Sequence, residues 1–374
     1  MRRIHLLLAL ASGFFLINLS ITGALLIYAK DIQTIINPQY WLLGDNHSNK
    51  KQHLLTLSEL TAKIEQQTEQ KIQFIQPEEN RQIAWQVRLE NKHYLSINPY
   101  TAEILLAYEF SDTFYGFTMS WHRWLLYTND TNEKPMQLWV SIASLVFIIE
   151  LIIGFTLWVK PKHRLKRLNV RWKAKNKIRF TQLHGTIGVI FCIPLILISF
   201  SGIAFFWQDA TKQIIESLSF SKIQQHNYQH QLLSNKEPQL DKAYNVAKAA
   251  LADGKVFRIY LPSNAGTPLA LRIEMPNESH ASSWSWANPY TGELLSSFDA
   301  SETSVATQVW NFKYKFHIGE FIGWPVKVLW LLISLMPCFF ILSGIYLWVK
   351  RKPTSNYSMT KVNVRSLAIK SHRS

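Results

Sequence analysis

The sequence predicts a membrane protein of mixed helix and sheet. We expect a four-helix transmembrane bundle built from two tandem repeats, with an α+β module on the outer side of the membrane in each repeat. Three observations predict this fold class: four long apolar runs, a one-sided distribution of positive charge, and a set of motifs that occurs twice.

The apolar residues are concentrated in four runs. The chain has 374 residues, of which 48% are hydrophobic and 17% charged. In a helix that rises about 1.5 Å per residue, each run is long enough to cross a hydrocarbon core about 30 Å thick. Glu150 is the only acidic residue in them. We expect it to face the bundle interior, as a proton-coupled group or as a hydrogen-bonded structural carboxylate. The runs are Ile4 to Tyr28, Gln137 to Val159, Leu183 to Trp207 and Val326 to Val349.

Positive charge is concentrated between the second and third runs and at the two termini. Residues 160–179 contain ten Lys and Arg, the tail from Lys350 contains seven, and neither segment has an acid. Cytoplasmic loops collect Lys and Arg, so the pattern predicts a multi-pass protein of the bacterial inner membrane, with both termini in the cytoplasm and both large loops in the periplasm. The net charge of +15 is then explained by topology and not by nucleic-acid binding.

These bounds predict a domain order. The first run follows two arginines, as a signal peptide would, but it is too long and recurs later in the chain, so we expect it to remain as a span. The predicted order is transmembrane helix 1 (1–30), periplasmic domain 1 (31–135), transmembrane helix 2 (136–160), a basic cytoplasmic loop (161–182), transmembrane helix 3 (183–207), periplasmic domain 2 (208–323), transmembrane helix 4 (324–350) and a basic cytoplasmic tail (351–374).

Several motifs occur twice in the same order. Residues 5–28 and 184–207 both start with histidine, and Ser20, Thr22 and Gly23 match Ser199, Ser201 and Gly202. NPYTAEIL at 98–105 corresponds to NPYTGELL at 288–295, and GFTLWVK at 154–160 to GIYLWVK at 344–350. The chain therefore reads as two copies of one unit: a span leaving the cytoplasm, an outer domain and a returning span.

Each outer domain has its own pattern. A helical stretch is predicted over Leu57 to Thr68 and over Asp241 to Asp253, followed by alternating strands such as Gln82 to Leu89 and Ala270 to Glu274. The Asn-Pro-Tyr-Thr segment is a turn signal between two strands. The pattern predicts one helix packed on an antiparallel sheet in each half.

Each unit has, in order, a span, a module that ends in Asn-Pro-Tyr-Thr-x-Glu, a histidine, and a span that ends in Gly-x-x-Leu-Trp-Val-Lys. This order resembles the PepSY-associated transmembrane family over nearly the whole chain. Members include iron-regulated inner-membrane proteins and FoxB-type ferric siderophore reductases. The resemblance implies two PepSY-like modules and one or two b-type haems, each held between two histidines. It also implies an oxidoreductase that reduces ferric siderophores at the periplasmic face during iron uptake.

Four of the twelve histidines lie at span boundaries in matching places. His5 and His184 begin the first and third runs, and His122 and His317 shortly precede the second and fourth. Haem iron takes two axial nitrogens, and imidazole suits that metal. A single boundary histidine is usually an interfacial residue. Four in duplicated positions favour ligation, with repeat symmetry bringing His5 against His184 and His122 against His317.

Cations near these histidines are candidates for the haem propionates. On the inner side they are Arg179, Arg2 and Arg3, and on the outer side Arg123, Lys313 and Lys315. Trp121 and Trp124 flank His122 and are candidates to line a haem or substrate pocket. His226 and His230 have the spacing to bind a metal if they lie on a helix. No residue is singled out as catalytic.

No Gly-rich dinucleotide fingerprint follows a strand, so electrons must come from a membrane quinol or a cytoplasmic reductase. The hypothesis is that this donor reduces the inner haem, that the electron passes to the outer haem, and that a ferric chelate outside accepts it. Two alternatives stay open: a non-enzymatic PepSY sensor or inhibitor anchored in the inner membrane, which would be colourless, and an ion or siderophore permease, which would need no redox partner.

Overall fold

The computed structural model describes residues 1–44, 53–161, 164–224, 237–276 and 278–351. His226, His230 and the tail from residue 352 lie outside the described residues, as do residues 162–163 of the basic loop. The described part consists of apolar helices and one large antiparallel sheet. The predicted mixture of helix and sheet is confirmed.

Three helices are long and apolar enough to cross a membrane. They are α1 (Arg2–Ile27), α6 (Met136–Val159) and α12 (Trp324–Val349). A fourth span is present if the bent pair α7 (Asn176–Ile190) and α8 (Cys192–Ile203) counts as one. These helices fall on the four predicted apolar runs, and by length and composition they are compatible with a multi-pass membrane protein.

The third span departs from the prediction of one helix over 183–207. The helix begins earlier, at Asn176, and is bent by 62° between Ile190 and Cys192. Pro194 explains the break, because it has no N–H to donate to the carbonyl of Ile190 and its ring crowds that carbonyl. The last bond of α7 runs from the N–H of Phe191 to the carbonyl of Ile187, at 3.0 Å.

A second proline lies inside a span. Pro337 interrupts the hydrogen-bond ladder of α12, and the Ser20 hydroxyl of α1 inserts beside it. Ser20 Oγ donates to the carbonyl of Ser334 and accepts from the N–H of Cys338 at 3.2 Å. Backbone groups that a proline frees in lipid need such partners, so Ser20 joins α1 to α12 beside Pro337.

Glu150 faces the bundle interior, as predicted. The side chain is buried, and the Ser12 hydroxyl of α1 donates to its Oε1 at 2.7 Å. This contact supplies one of the hydrogen bonds that a carboxyl group needs at membrane depth.

The part of the chain between the apolar helices contains two helix-and-strand segments. The helix predicted over Leu57 to Thr68 is α4 (Leu57–Thr68), and that predicted over Asp241 to Asp253 is the shorter α10 (Leu240–Ala249). The strands are β1 (Ile72–Gln76), β2 (Trp85–Leu89), β3 (Tyr94–Ile97), β4 (Ile104–Tyr108), β5 (Lys255–Tyr260), β6 (Leu269–Glu274), β7 (Ser283–Ala287) and β8 (Leu294–Phe298).

The eight strands form one sheet, with the order β4-β3-β2-β1-β5-β6-β7-β8. The two halves join where β1 pairs antiparallel with β5, Phe74 opposite Tyr260 and Ile75 opposite Ile259. The sequence pattern predicted a sheet in each half but gave no sign of this junction. The Asn-Pro-Tyr-Thr segments form the predicted turns, each following β3 or β7.

The two faces of the sheet differ. One face packs on α4 and α10 through a core that includes Leu60, Ile64, Ile75, Leu271 and Ile273. The other face carries rings and guanidinium groups, such as Phe74 with Arg258 above it. The remaining helices are α2 (Ala29–Ile36), α3 (Pro38–Trp41), α5 (Phe114–Trp124), α9 (Gln208–Ser219) and α11 (Val305–Ile318).

Candidate functional site

The four boundary histidines form two facing pairs. His5 on α1 lies beside His184 on α7, with ring centroids 6.4 Å apart. His122 on α5 lies beside His317 on α11, with ring centroids 6.3 Å apart. These are the two pairs that repeat symmetry predicts. We call His5 with His184 the inner pair and His122 with His317 the outer pair, after the predicted sides of the membrane.

The separations match two imidazoles that share one metal ion. A metal bound by imidazole nitrogen at about 2.0 Å lies about 3.2 Å from the ring centre, so two axial rings have centroids about 6.4 Å apart. The ring planes make angles of 87° and 57°. Both angles are compatible with axial ligation, because an imidazole can rotate about its bond to the metal.

The helices that carry the outer pair have defined ends. The Thr113 hydroxyl accepts from the N–H of Gly116 at the start of α5, and the Ser304 hydroxyl from that of Thr307 at the start of α11. Such caps stabilise a helix end by about 1 kcal/mol. Each histidine lies in the last turn of its helix, so the caps fix the helices that aim the outer pair.

Each imidazole packs against a glycine of a spanning helix. The glycines belong to the Ser/Thr-Gly and Gly-x-x-Leu-Trp motifs that recur in the sequence, and they let the helix backbone approach the ring. A Cβ atom added to the glycine would lie 3.1 Å from Cε1 of the imidazole for Gly202 and His317, 3.4 Å for Gly23 and His122, 3.6 Å for Gly154 and His5, and 4.0 Å for Gly344 and His184.

Hydroxyl groups hold the Nδ1 atoms of three of the histidines. The Nδ1···O distances are 2.8 Å for His122 and Thr22, 2.7 Å for His184 and Ser343, and 3.0 Å for His317 and Ser201. Each hydroxyl donates its single proton to a backbone carbonyl of its own helix, that of Asn18, Phe340 or Ile198. In this arrangement the hydroxyl accepts from Nδ1–H, and at His317 the Ile198 carbonyl, 3.2 Å from Nδ1, is a second acceptor. This tautomer leaves the Nε2 lone pair of a neutral imidazole available to a metal.

His5 differs from the other three. Ile153 stands before Gly154, where Ser343 stands before Gly344. The buried Nδ1 of His5 has no hydrogen-bond partner among the described residues, and the nearby carbonyl of Glu150 is outside hydrogen-bonding geometry. The inner pair therefore has one fixed imidazole and one that only packing orients.

A cavity of about 390 Å³ opens at the outer pair. His122 and His317 line it, together with Gly23 and Gly202 and apolar side chains of α1, α6, α8 and α12. Burial, and secondarily the neighbouring His317 and Arg123, lower the pKa of His122 to about 3, and burial lowers that of His317 to about 4. Both imidazoles are thus neutral near pH 7, the form that binds metals.

The charged residues that line the cavity are the cations Arg123, Lys30 and Lys327 and the acids Asp31 and Glu320, and Tyr115 and Tyr314 add phenol groups. Arg123 was predicted from the sequence. Lys30 and Lys327 were missed, since neither lies next to a histidine in the chain. Lys327 already contacts Asp31 at 3.4 Å and Glu320 at 3.5 Å.

Four other predicted residues do not line this cavity. Lys313 lines a different one, and Lys315 pairs with Glu320 at 3.6 Å. Trp121 donates from Nε1 to Asn18, and Trp124 lies under the Lys134 ammonium. The prediction that Trp121 and Trp124 line the pocket is wrong because both rings are engaged elsewhere, and the tryptophan that does line it is Trp330.

The inner cations lie on the opposite end of the bundle. Arg179 is on the first turns of α7, and its guanidinium donates to Asn176 Oδ1 at 3.0 Å. Arg2 and Arg3 are exposed on the first turn of α1. All three lie within five residues of His184 or His5, so they are near the inner pair along the chain.

The donor set limits which metals can bind. Within the described ranges no group of three or more His, Cys, Asp or Glu side chains could hold an ion. Two facing imidazoles suit a metal that brings its own equatorial ligands, as iron in a porphyrin does.

The family model described as PepSY-associated TM region matches residues 2–351. The chain belongs to this family. The match spans every helix and strand described above, so the PepSY-associated TM family assignment covers the bundle and the sheet together. No curated protein matches the chain.

Proposed function

We propose that this member of the PepSY-associated TM family is a haem b electron-transfer protein of the inner membrane that reduces ferric siderophores at the periplasmic face during iron uptake. His5 and His184 would hold one haem, and His122 and His317 a second. The proposal includes the finer architecture: two tandem repeats with PepSY-like modules, and both termini in the cytoplasm.

One observation carries the proposal. Two imidazole pairs have the centroid separation of axial ligands, and three of the four rings have Nδ1 engaged by a hydroxyl that leaves Nε2 free. Metal-ligating histidines in proteins share this arrangement, in which the second nitrogen is held by an acceptor. Interfacial histidines have no reason to occur as such pairs.

The protein groups have separate tasks. The hydroxyls of Thr22, Ser201 and Ser343 orient the imidazoles, and the glycines beside the rings make room. Arg123 on the outer side and Arg179 on the inner side would meet carboxylates such as haem propionates. Bound haem would supply reversible one-electron transfer.

The two pairs lie near opposite ends of α1. His5 and Gly23, which contacts His122, are separated along the helix by about 27 Å at about 1.5 Å per residue. That length is close to the roughly 30 Å of a hydrocarbon core. One site would thus be reached by a membrane quinol or a cytoplasmic reductase and the other by a ferric chelate in the periplasm.

The test is iron reduction by proteoliposomes that contain the purified protein, a quinol donor, an external ferric siderophore and an external ferrous trap. We expect ferrous iron to form with the wild type and to fall to background in His5→Ala and in His317→Ala. His93→Ala, which changes an exposed histidine, is the matched control.

Colourless protein, or equal reduction rates in all variants, would contradict the proposal. Colourless protein that keeps a biological effect after replacement of all four histidines would point to the sensor or inhibitor function.

A further inference from the structure

A second and larger cavity lies between the second half of the sheet and α11. Its volume is about 1090 Å³, and its lining includes Arg258, Arg272, His280, Trp284 and Lys313. We call it the sheet cavity. Small-molecule sites are typically about 300–1,000 Å³, so it has room for a ligand at the upper end of that range.

The side chains that line the sheet cavity carry positive charge only. Among its described lining residues there is no Asp or Glu, and Arg258, Arg272 and Lys313 form no ion pair within the described ranges. Their partners are neutral oxygens: Gln76 Oε1 at 2.9 Å and the carbonyls of Ala281 at 2.6 Å and Trp310 at 3.2 Å, respectively. Glu278 acts on Arg272 but lies outside the lining.

Two buried polar atoms of the cavity residues lack partners. Arg258 Nε and His280 Nδ1 have no hydrogen bond among the described residues. Burial, followed by the surrounding cations, lowers the pKa of His280 to about 3 and that of Lys313 to about 8. Unpaired buried donors and crowded cations are unfavourable in a site that stays empty, and an anion would relieve both.

The cavity also presents flat surfaces. The rings of Trp284 and Trp286 are nearly parallel, with centroids 5.8 Å apart and 9° between their planes. Tyr260 stacks on Trp284 at 5.5 Å. Stacked rings offer aromatic ligand groups a complementary face.

Among the described residues, the first half of the sheet pairs its arginine differently. Arg272 lies opposite Arg258 on β5, whereas its counterpart Arg88 lies opposite Phe74 on β1. That part of the sheet is covered, because Trp41 packs on Tyr108 with centroids 5.4 Å apart. The two halves have thus diverged at this face. Arg88, whose buried Nε also lacks a hydrogen bond among the described residues but which does not line the sheet cavity, provides a matched control for Arg272.

The sheet cavity adjoins the outer histidine pair. Phe205 lines it and touches the His317 imidazole, with ring centroids 5.5 Å apart. Tyr314 lines both cavities. A ligand in the sheet cavity would therefore be separated from the outer pair by a single layer of aromatic side chains.

We infer that the sheet cavity binds a polyanionic metal chelate with flat aromatic arms, of the tris-catecholate class, in preference to a neutral tris-hydroxamate chelate. The inference deepens the proposed function by naming the charge class of the acceptor. It rests on that function only for the redox role of the ligand, since binding itself requires no haem.

The test is a calorimetric titration of the full-length protein in nanodiscs with two gallium(III) complexes. One has a hexadentate tris-catecholate chelator and is triply negative; the other has a hexadentate tris-hydroxamate chelator and is neutral. Gallium(III) resembles ferric iron in charge and size but is not reduced here, so binding is measured without electron transfer. The haem spectrum of each preparation is recorded separately.

We expect the catecholate complex to bind at least about tenfold more tightly than the hydroxamate complex, and more weakly as salt is added. Arg272→Gln and Lys313→Gln should each weaken its binding by about tenfold, whereas Arg88→Gln and Lys313→Arg should bind as the wild type does. Equal affinities for the two complexes, or the same loss in Arg88→Gln as in Arg272→Gln, would overturn the inference.

The two proposals fail in different ways. Protein with a normal haem spectrum that does not bind the catecholate complex overturns the sheet-cavity inference and leaves the proposed function standing. Colourless protein that binds it with the expected variant pattern supports the inference and overturns the proposed function.

Discussion

Thr22 Oγ1 lies 2.8 Å from His122 Nδ1 and 2.6 Å from the carbonyl oxygen of Asn18. The hydroxyl donates to the carbonyl and accepts from the imidazole, so it fixes the proton of His122 on Nδ1. A hydroxyl on α1 thereby decides which nitrogen of a histidine on α5 can bind a metal.

The first prediction concerns this contact. Thr22→Val keeps the shape of the side chain but removes the acceptor, and should weaken haem binding at the outer pair about 10- to 100-fold. Thr22→Ser should bind haem as the wild type does. Haem transfer to an excess of apomyoglobin measures the loss, and equal transfer rates for the two variants would contradict the assignment.

At the inner pair, a substitution can add a hydroxyl partner to a histidine instead of removing one. Ile153 occupies the position that Ser343 occupies in the other half, and in the described part of the chain His5 Nδ1 has no hydrogen-bond partner. Ile153→Ser should supply that partner and slow the loss of the inner haem in the same transfer assay. A faster loss would mean that the two inner histidines are not equivalent ligands.

The glycines beside the imidazoles predict a graded effect. A Cβ at Gly202 would lie 3.1 Å from His317, closer than ordinary contact, whereas one at Gly344 would lie 4.0 Å from His184. Gly202→Ala should therefore displace its imidazole and alter the low-spin electron paramagnetic resonance signal of the outer haem. Gly344→Ala should leave the inner signal unchanged; identical spectra for the two variants would refute the packing argument.

The contact between Ser20 and α12 predicts a loss of stability. Ser20→Ala leaves the Ser334 carbonyl and the Cys338 N–H without their partner, at a cost of about 1–3 kcal/mol for each buried group. The Tm of Ser20→Ala in detergent should therefore fall. Adding Pro337→Ala to Ser20→Ala should restore part of the Tm, because α12 can then complete its own backbone hydrogen bonds. An unchanged Tm in Ser20→Ala would show that water or lipid headgroups satisfy these atoms.

The sheet cavity predicts a pH dependence of anion binding. Burial, then Lys212 and Arg272, lower the pKa of Lys313 to about 8, so Lys313 is charged below that pH and loses its charge above it. Affinity for the gallium tris-catecholate complex should fall as pH rises through about 8, or slightly higher because the bound anion favours the charged form. His280, with a pKa of about 3, stays neutral throughout.

Lys313→Arg stays charged and should show a flat profile between pH 7 and 9. The charged Lys313 is disfavoured in the ligand-free fold, since its pKa there is below the unfolded value. Lys313→Gln should therefore raise the Tm at pH 7 while it weakens binding. A wild-type profile as flat as that of Lys313→Arg would place the anion elsewhere.

Much of the fold could be predicted because its causes are local. Apolar runs determine the spans. The helix α4 begins and ends at the predicted residues, Leu57 and Thr68, because the capping Thr56 and the spacing of its hydrophobic residues are local features of the sequence. The pairing of His5 with His184 and of His122 with His317 followed from duplicated motifs. That these pairs bind haem stays a prediction.

Other features depend on contacts between distant parts of the chain. The pairing of β1 with β5 arises where the edges of the two half-sheets meet, and the sequence of neither strand indicates this partner. The sheet cavity combines Arg258, Arg272 and Lys313, which lie on three separate elements. The roles of Thr22 and Ser201 had a signal, since both precede a glycine at the same offset, but no sequence pattern indicated which groups their hydroxyls would contact.

Haem stoichiometry of the purified chain tests the central claim most directly. Pyridine haemochrome analysis, combined with a reduced-minus-oxidised spectrum, should give two low-spin haem b per wild-type chain, one in His122→Ala, one in His184→Ala and none in the double variant. A wild-type chain without a low-spin haem b spectrum, or variants that keep the full haem content, would contradict the account.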